Sequence, residues 1–77
     1  MKATDIIKNI MNETGVRPSV LAERLGIKNN TLSERLTQKN ISVVKLLEML
    51  DVMGYKIVIV PSDSGIAEQV YELTVED

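Results

Sequence analysis

"LAERLGIKNNTLSERL", residues 21–36, decides how this 77-residue chain folds. Two short helix-like runs flank a Gly26-Ile27-Lys28-Asn29-Asn30 break, and Leu21, Ala22, Leu25, Ile27, Leu32 and Leu36 form a sparse apolar skeleton. A helix of two turns is not stable alone, so the pair has to be held by the helices around it. Ala22 is small enough to let the two helices approach closely. Gly26 permits a turn with positive φ that a side chain would resist. Ile27 and Leu32 plug the turn and the following helix into a core. Asn29, Asn30, Thr31 and Ser33 are then left for the outward face. Such short polar side chains can reach base edges in a major groove.

The flanking sequence supplies helices to hold that pair. Ile6, Ile7, Ile10 and Met11 recur on one face of a run over residues 5–14, with Thr4 as an N-cap and Gly15 as a C-terminal stop. Pro18 fits the first position of a second helix, where its missing N–H costs nothing. That helix carries Val20, Leu21, Ala22 and Leu25 and ends at Gly26. Asn29 or Asn30 reads as the cap of a third helix, whose inward residues are Leu32 and Leu36. Ser42 caps a fourth, in which Val43, Leu46, Leu47, Leu50 and Met53 recur at helical spacing up to Gly54.

Beyond Gly54 the period changes from helical to alternating. "YKIVIVP" is a β-branched run stopped by Pro61 and reads as a strand, while "VYELTVE" sets Tyr71, Leu73 and Val75 against Glu72, Thr74 and Glu76. Turn formers in "PSDSGIAEQ" connect them, although residues 66–71 also suit a helical turn. The fold class is therefore mostly α: four helices, then a β-strand or β-hairpin. Residues 1–54 form one unit and residues 55–77 a hairpin with an acidic tail.

Composition narrows the function. There is no His and no Cys, which removes the commonest general base, thiolate catalysis and the commonest metal ligands. With no nucleophile–base pair or metal cluster in the sequence, an enzyme is not expected, nor is a cofactor. No long apolar run follows the N-terminal residues, so no signal peptide or membrane span is expected and the chain reads as cytoplasmic. The core must come from Ile, Leu, Val and Met, because Phe and Trp are absent and Tyr occurs twice. A second subunit often completes a core of that kind.

The net charge of −2 conceals a division. Residues 17–45 carry six basic and two acidic side chains, whereas residues 61–77 carry five acidic ones and no basic one. The quoted stretch therefore lies in a basic region that the tail masks. The first strand is apolar on both faces, with Tyr55, Ile57 and Ile59 on one side and Val58 and Val60 on the other. A domain this small covers one face with its helices and hardly both. A second copy of the strand would cover the other and pair the exposed edge, which predicts a homodimer through these five residues.

The residues Leu21, Ala22, Leu25, Gly26, Ile27, Thr31, Leu32 and Ser33, followed by "NISVVKLLEMLDVMGY", resemble the lambda repressor/Cro-type (XRE-type) helix-turn-helix family. The resemblance covers about residues 4–54, the family's first four helices. Carried over by position, it implies that Asn29, Asn30, Ser33 and Glu34 read bases. Asn pairs with adenine N6 and N7, and Glu accepts from cytosine N4. Thr31 belongs to the same DNA-binding set. Arg17, Ser19, Lys28, Gln38, Lys39 and Asn40 fall at the backbone-contacting ends of the motif, suited to phosphate. The chain departs from the family pattern twice. Arg17 stands before Pro18 where Ser or Thr usually caps. Arg35 replaces an apolar residue, so either its stem runs along the core edge with the guanidinium outside or the helix is slightly rotated.

The resemblance implies a dimeric, sequence-specific, repressor-like regulator of the kind phages and mobile elements carry, bound to double-stranded DNA at an inverted repeat. A different function fits the same fold. Antitoxins and phage anti-defence proteins include helix-turn-helix members that bind a protein partner, with promoter autoregulation secondary. The acidic, apolar "SGIAEQVYELTVED" suits that role, since an acidic segment beside DNA is repelled unless it has another use.

Overall fold

Helix α1, Ala3–Thr14, begins earlier than the Thr4 cap predicts. The Lys2 backbone N–H donates to Asp5 Oδ2 at 3.1 Å, so the acid in the first turn closes the helix from inside and Thr4 sits in the buried wall. Ile7, Ile10 and Met11 are buried as expected, but Ile6 is 38% exposed because its position lies about 100° around the helix from Ile7. The computed structural model describes residues 1–62 and 70–75 of the chain.

Helix α2, Pro18–Leu25, starts at an extended Arg17 that makes no side-chain cap, with Pro18 in the first turn. It stops at Gly26, where φ is 68°. The Ile27 N–H donates to the Ala22 carbonyl at 3.0 Å and closes the turn. A Cβ added at Gly26 would meet no atom within 4 Å, so a substitution there costs backbone strain alone. Gly26→Ala should lose about 1–2 kcal/mol, and Gly26→Asn less, because Asn tolerates the left-handed region. Thermal melts of both variants check this, and an Ala variant as stable as the wild type would mean the turn can relax away from positive φ.

Helix α3, Asn29–Thr37, corrects the predicted cap: Asn29 and Asn30 are its first helical residues, and Lys28 holds the cap position. Lys28 contributes only its carbonyl, which accepts from the Leu32 N–H at 3.1 Å. Helix α4, Val43–Asp51, is capped as expected, by the Ser42 hydroxyl accepting from the Lys45 N–H at 3.2 Å. Its buried stripe differs from the predicted one. Met49 is fully buried because α4 packs on both α1 and α2, whereas Val43, the first residue of the helix, is 58% exposed. That double contact covers a wider arc around Leu46, Met49, Leu50 and Met53, while Val43 shares a line with the buried Leu47 and Leu50 and is exposed at the helix's first position.

Four helices therefore enclose one core of Ile7, Ile10, Met11, Leu21, Ala22, Leu32, Met49 and Leu50. Among the described residues no helix is long and apolar enough to cross a membrane. Strands β1, Ile57–Ile59, and β2, Tyr71–Leu73, pair antiparallel with Ile57 opposite Leu73, Val58 opposite Glu72 and Ile59 opposite Tyr71. Tyr71 is thus in a strand, not in the alternative helical turn, whose remaining residues 66–69 lie outside the described ones. Residues 63–65 of the connection, and Glu76, also lie outside them. The Lys56 ammonium pairs with the Glu72 carboxylate across the strands. Ile57 is half-buried against the helical core, and the hairpin otherwise touches the helices only lightly.

Candidate nucleic-acid interface

Leu32 is the residue that aims α3. It is buried in the core, Leu36 packs beside it, and α3 rests on both α1 and α2. With the helix fixed on that side, Asn29, Asn30, Ser33, Glu34 and Thr37 are all exposed. At 100° per residue these five occupy one continuous arc of about 140° that neither leucine enters. The four base-reading candidates are therefore brought together on one helical surface. Thr31 is not among them. It is half-buried and lies outside the arc, beside Arg35.

Arg35 lies on the covered side of α3. The side chain is half-buried, and its Nη1 is enclosed with no hydrogen-bond partner among the described residues. The guanidinium is thus not wholly outside, as a snorkelling stem would have it.

The phosphate candidates divide between the two ends of α3. Lys28 is exposed immediately before the first turn, and Gln38, Lys39 and Asn40 are exposed after the last. Arg17 and Ser19 are exposed at the start of α2. A surface groove of about 680 Å³ is lined by Arg17 and Pro18 on one side, Lys8, Asn9 and Asn12 on another, and Leu36 near the end of α3. The start of α2 therefore lies near the C-terminal end of α3, which puts cationic or amide side chains at both ends of the exposed arc. Lys8 joins Arg17 in that groove and escaped sequence reasoning. Nothing in the local pattern of α1 distinguishes it from any other solvated lysine, and only the packing of α1 against α3 brings it there.

The start of α3 also lacks a side-chain cap. Its first N–H groups, which have no partner within any helix, remain available to an acceptor outside. Dipole and N–H groups favour an anion at that position, and Lys28 adds a full positive charge beside them.

The dimer candidates are distributed unevenly. Tyr55, Val58, Ile59 and Val60 are exposed, whereas Ile57 is half-buried against the chain's own core. A contact through this strand therefore rests on the other four residues more than on Ile57. No protein-family model, curated protein or solved structure matches the chain.

Proposed function

We propose that this protein is a sequence-specific, dimeric DNA-binding regulator, with α2 and α3 forming a helix-turn-helix of the lambda repressor/Cro type. The observation that carries this reading is the face of α3: a contiguous exposed arc of Asn29, Asn30, Ser33 and Glu34 on a helix pinned from behind by Leu32. The glycine turn at Gly26 and the close α2–α3 packing at the fully buried Ala22 are the local geometry that such a motif requires. The arc carries no large apolar side chain, so it suits a hydrated, hydrogen-bonded target better than a protein core.

In this mechanism Asn29, Asn30, Ser33 and Glu34 enter the major groove and exchange hydrogen bonds with base edges. Lys28, Arg17 and the residue 38–40 turn hold the phosphates on either side, which fixes register without reading sequence. Two copies related by a two-fold axis would place their α3 helices about 34 Å apart, so the site should be an inverted repeat with half-sites one helical turn apart.

Selection from random duplexes tests this directly, run on the wild type, on Asn29→Ala, on Asn30→Ala and on Ser33→Ala. Each replacement should cost about 1–3 kcal/mol on the selected site and much less on random DNA. A wild type that yields no consensus, or three variants that select the same motif at the same strength, would defeat the regulator. The exposed hairpin residues Val58, Ile59 and Tyr71 would then favour the alternative, an antitoxin-like or anti-defence module that uses the fold to bind a protein.

A further inference from the structure

A second surface lies away from the α3 arc. Val43, Val44, Leu47 and Glu48 of α4, with Leu73 at the end of β2 and Thr74 and Val75 just after it, line a groove of about 590 Å³. Val43 and Val44 are 58% and 65% exposed, although both are β-branched apolar residues on the first turn of a capped helix. Neither contributes to the core, and neither is needed to start α4, which Ser42 does.

The same chain carries an apolar pair suited to that groove. Register places Ile59 opposite Tyr71, and alternation puts both on the sheet face that Ile57 and Leu73 turn towards the helices. Ile57 and Leu73 are half-buried, but Ile59 and Tyr71, one repeat further along, are 56% and 65% exposed. The apolar face of the hairpin thus extends beyond the helices that cover its base. A two-stranded sheet of this length is not stable by itself, so the overhanging end needs a cover.

We propose that a second copy of the chain seats its Ile59–Tyr71 pair in the groove between α4 and β2, and receives the reciprocal pair in return. The inference rests on the homodimer reading and specifies its geometry. The groove lies at the base of the hairpin and the overhanging pair towards its tip, so an antiparallel two-fold arrangement sets the tip of each beside the base of the other. That is the self-complementarity an isologous contact requires.

The exposed apolar area agrees with a second copy as the occupant. Among the described residues of the hairpin the charged ones are Lys56 and Glu72, and they pair with each other across the strands, so neither brings an unpaired charge to the Ile59–Tyr71 face. Val43, Val44, Ile59, Tyr71 and Val75 together expose on the order of 500 Å² of largely apolar surface per protomer, more than a scatter of surface residues and over half of the ~800 Å² a stable interface takes from each side. The free edge of β1 can supply the remainder.

The chain has no cysteine, so introduced thiols report on this contact alone. Val44→Cys and Tyr71→Cys proteins, mixed and mildly oxidised, should give a covalent mixed dimer, with much less cross-linking in either protein alone. Light scattering on the wild type should show a dimer, and Val44→Asp should weaken it at least tenfold. Val44 is exposed, so that substitution leaves the monomer folded, which its circular dichroism checks. A wild-type dimer that cross-links through Val60→Cys but not between positions 44 and 71 would overturn the groove contact while leaving the homodimer standing. A wild type that stays monomeric overturns both, and a dimer unchanged by Val44→Asp overturns the groove.

Discussion

Leu32→Ala should cost about 3–5 kcal/mol and lower the melting temperature by roughly 12 °C or more. Leu32 is buried with 1% of its surface exposed, on a helix that touches both α1 and α2, so truncation leaves a cavity that two rigid neighbours border. The whole domain is expected to be stable by only about 4–12 kcal/mol at this length, so one methylene-rich side chain accounts for a large share of it. Ser33→Ala, one residue along and exposed, should change stability by less than about 0.5 kcal/mol. The contrast separates pinning from helix propensity, because Ala suits a helix at either position. Melts of the two variants at equal protein concentration measure it. If Leu32→Ala melts within a few degrees of the wild type, α3 is not held through Leu32 and the aim of the exposed arc has another cause.

Lys28→Asp should move stability and DNA binding in opposite directions. Lys28 has the extended backbone of a cap position, with φ −75° and ψ 154°, but offers no side-chain acceptor to the first turn. An aspartate there can accept from an N–H of that turn and complements the helix dipole, which should add about 1 kcal/mol and raise the melting temperature by roughly 4–8 °C. The same change removes a cation from the proposed phosphate contact and substitutes an anion. DNA affinity at low salt should fall by about tenfold or more, and the slope of log affinity against log salt should flatten by about one. Lys28→Ala, which supplies no cap, should flatten the slope by a similar amount without the gain in stability. Titrations at several salt concentrations, beside thermal melts, give both readings. DNA binding unchanged in Lys28→Asp would remove the start of α3 from the phosphate contact. An unchanged melt would show that the open cap is already satisfied by solvent.

Taken together, these two substitutions treat α3 as a helix with one face spent on folding and the other kept for a target. The uncapped start is consistent with that division. A better cap is one substitution away at position 28, and the chain carries a lysine there instead. Stability given up at a helix terminus is a common accompaniment of a binding surface.

How much of this was legible in the sequence differs from element to element. The four helices, their order, the turn at Gly26 and the Ser42 cap follow from features a few residues long: apolar spacing, a glycine after the last periodic residue, a proline in the first turn. Such features act locally, and the chain places them where local physics demands. The exposed positions of Asn29, Asn30, Ser33 and Glu34 followed as well, because the two leucines of α3 fix which side is buried. Caps were less legible. Thr4 and Asn29 are good capping residues in the abstract, yet Asp5 reaches back to Lys2, and α3 begins without any side-chain cap.

Only tertiary structure decided the rest. Met49 is buried as well as Leu47 and Leu50 because α4 serves two neighbours at once, and a single helical pattern cannot say how many partners will flank it. Lys8 and Arg17 share a groove with the end of α3 because α1 packs on α3, which brings Leu36 to them from far along the chain. Arg35 ends with one nitrogen enclosed for the same reason: its surroundings come from packing, not from its own turn. The overhang of Ile59 and Tyr71 depends on where the helices stop covering the sheet. Alternation in the strands marks which residues share a face, but the length of face that is covered is set by the size of the helical layer beneath it.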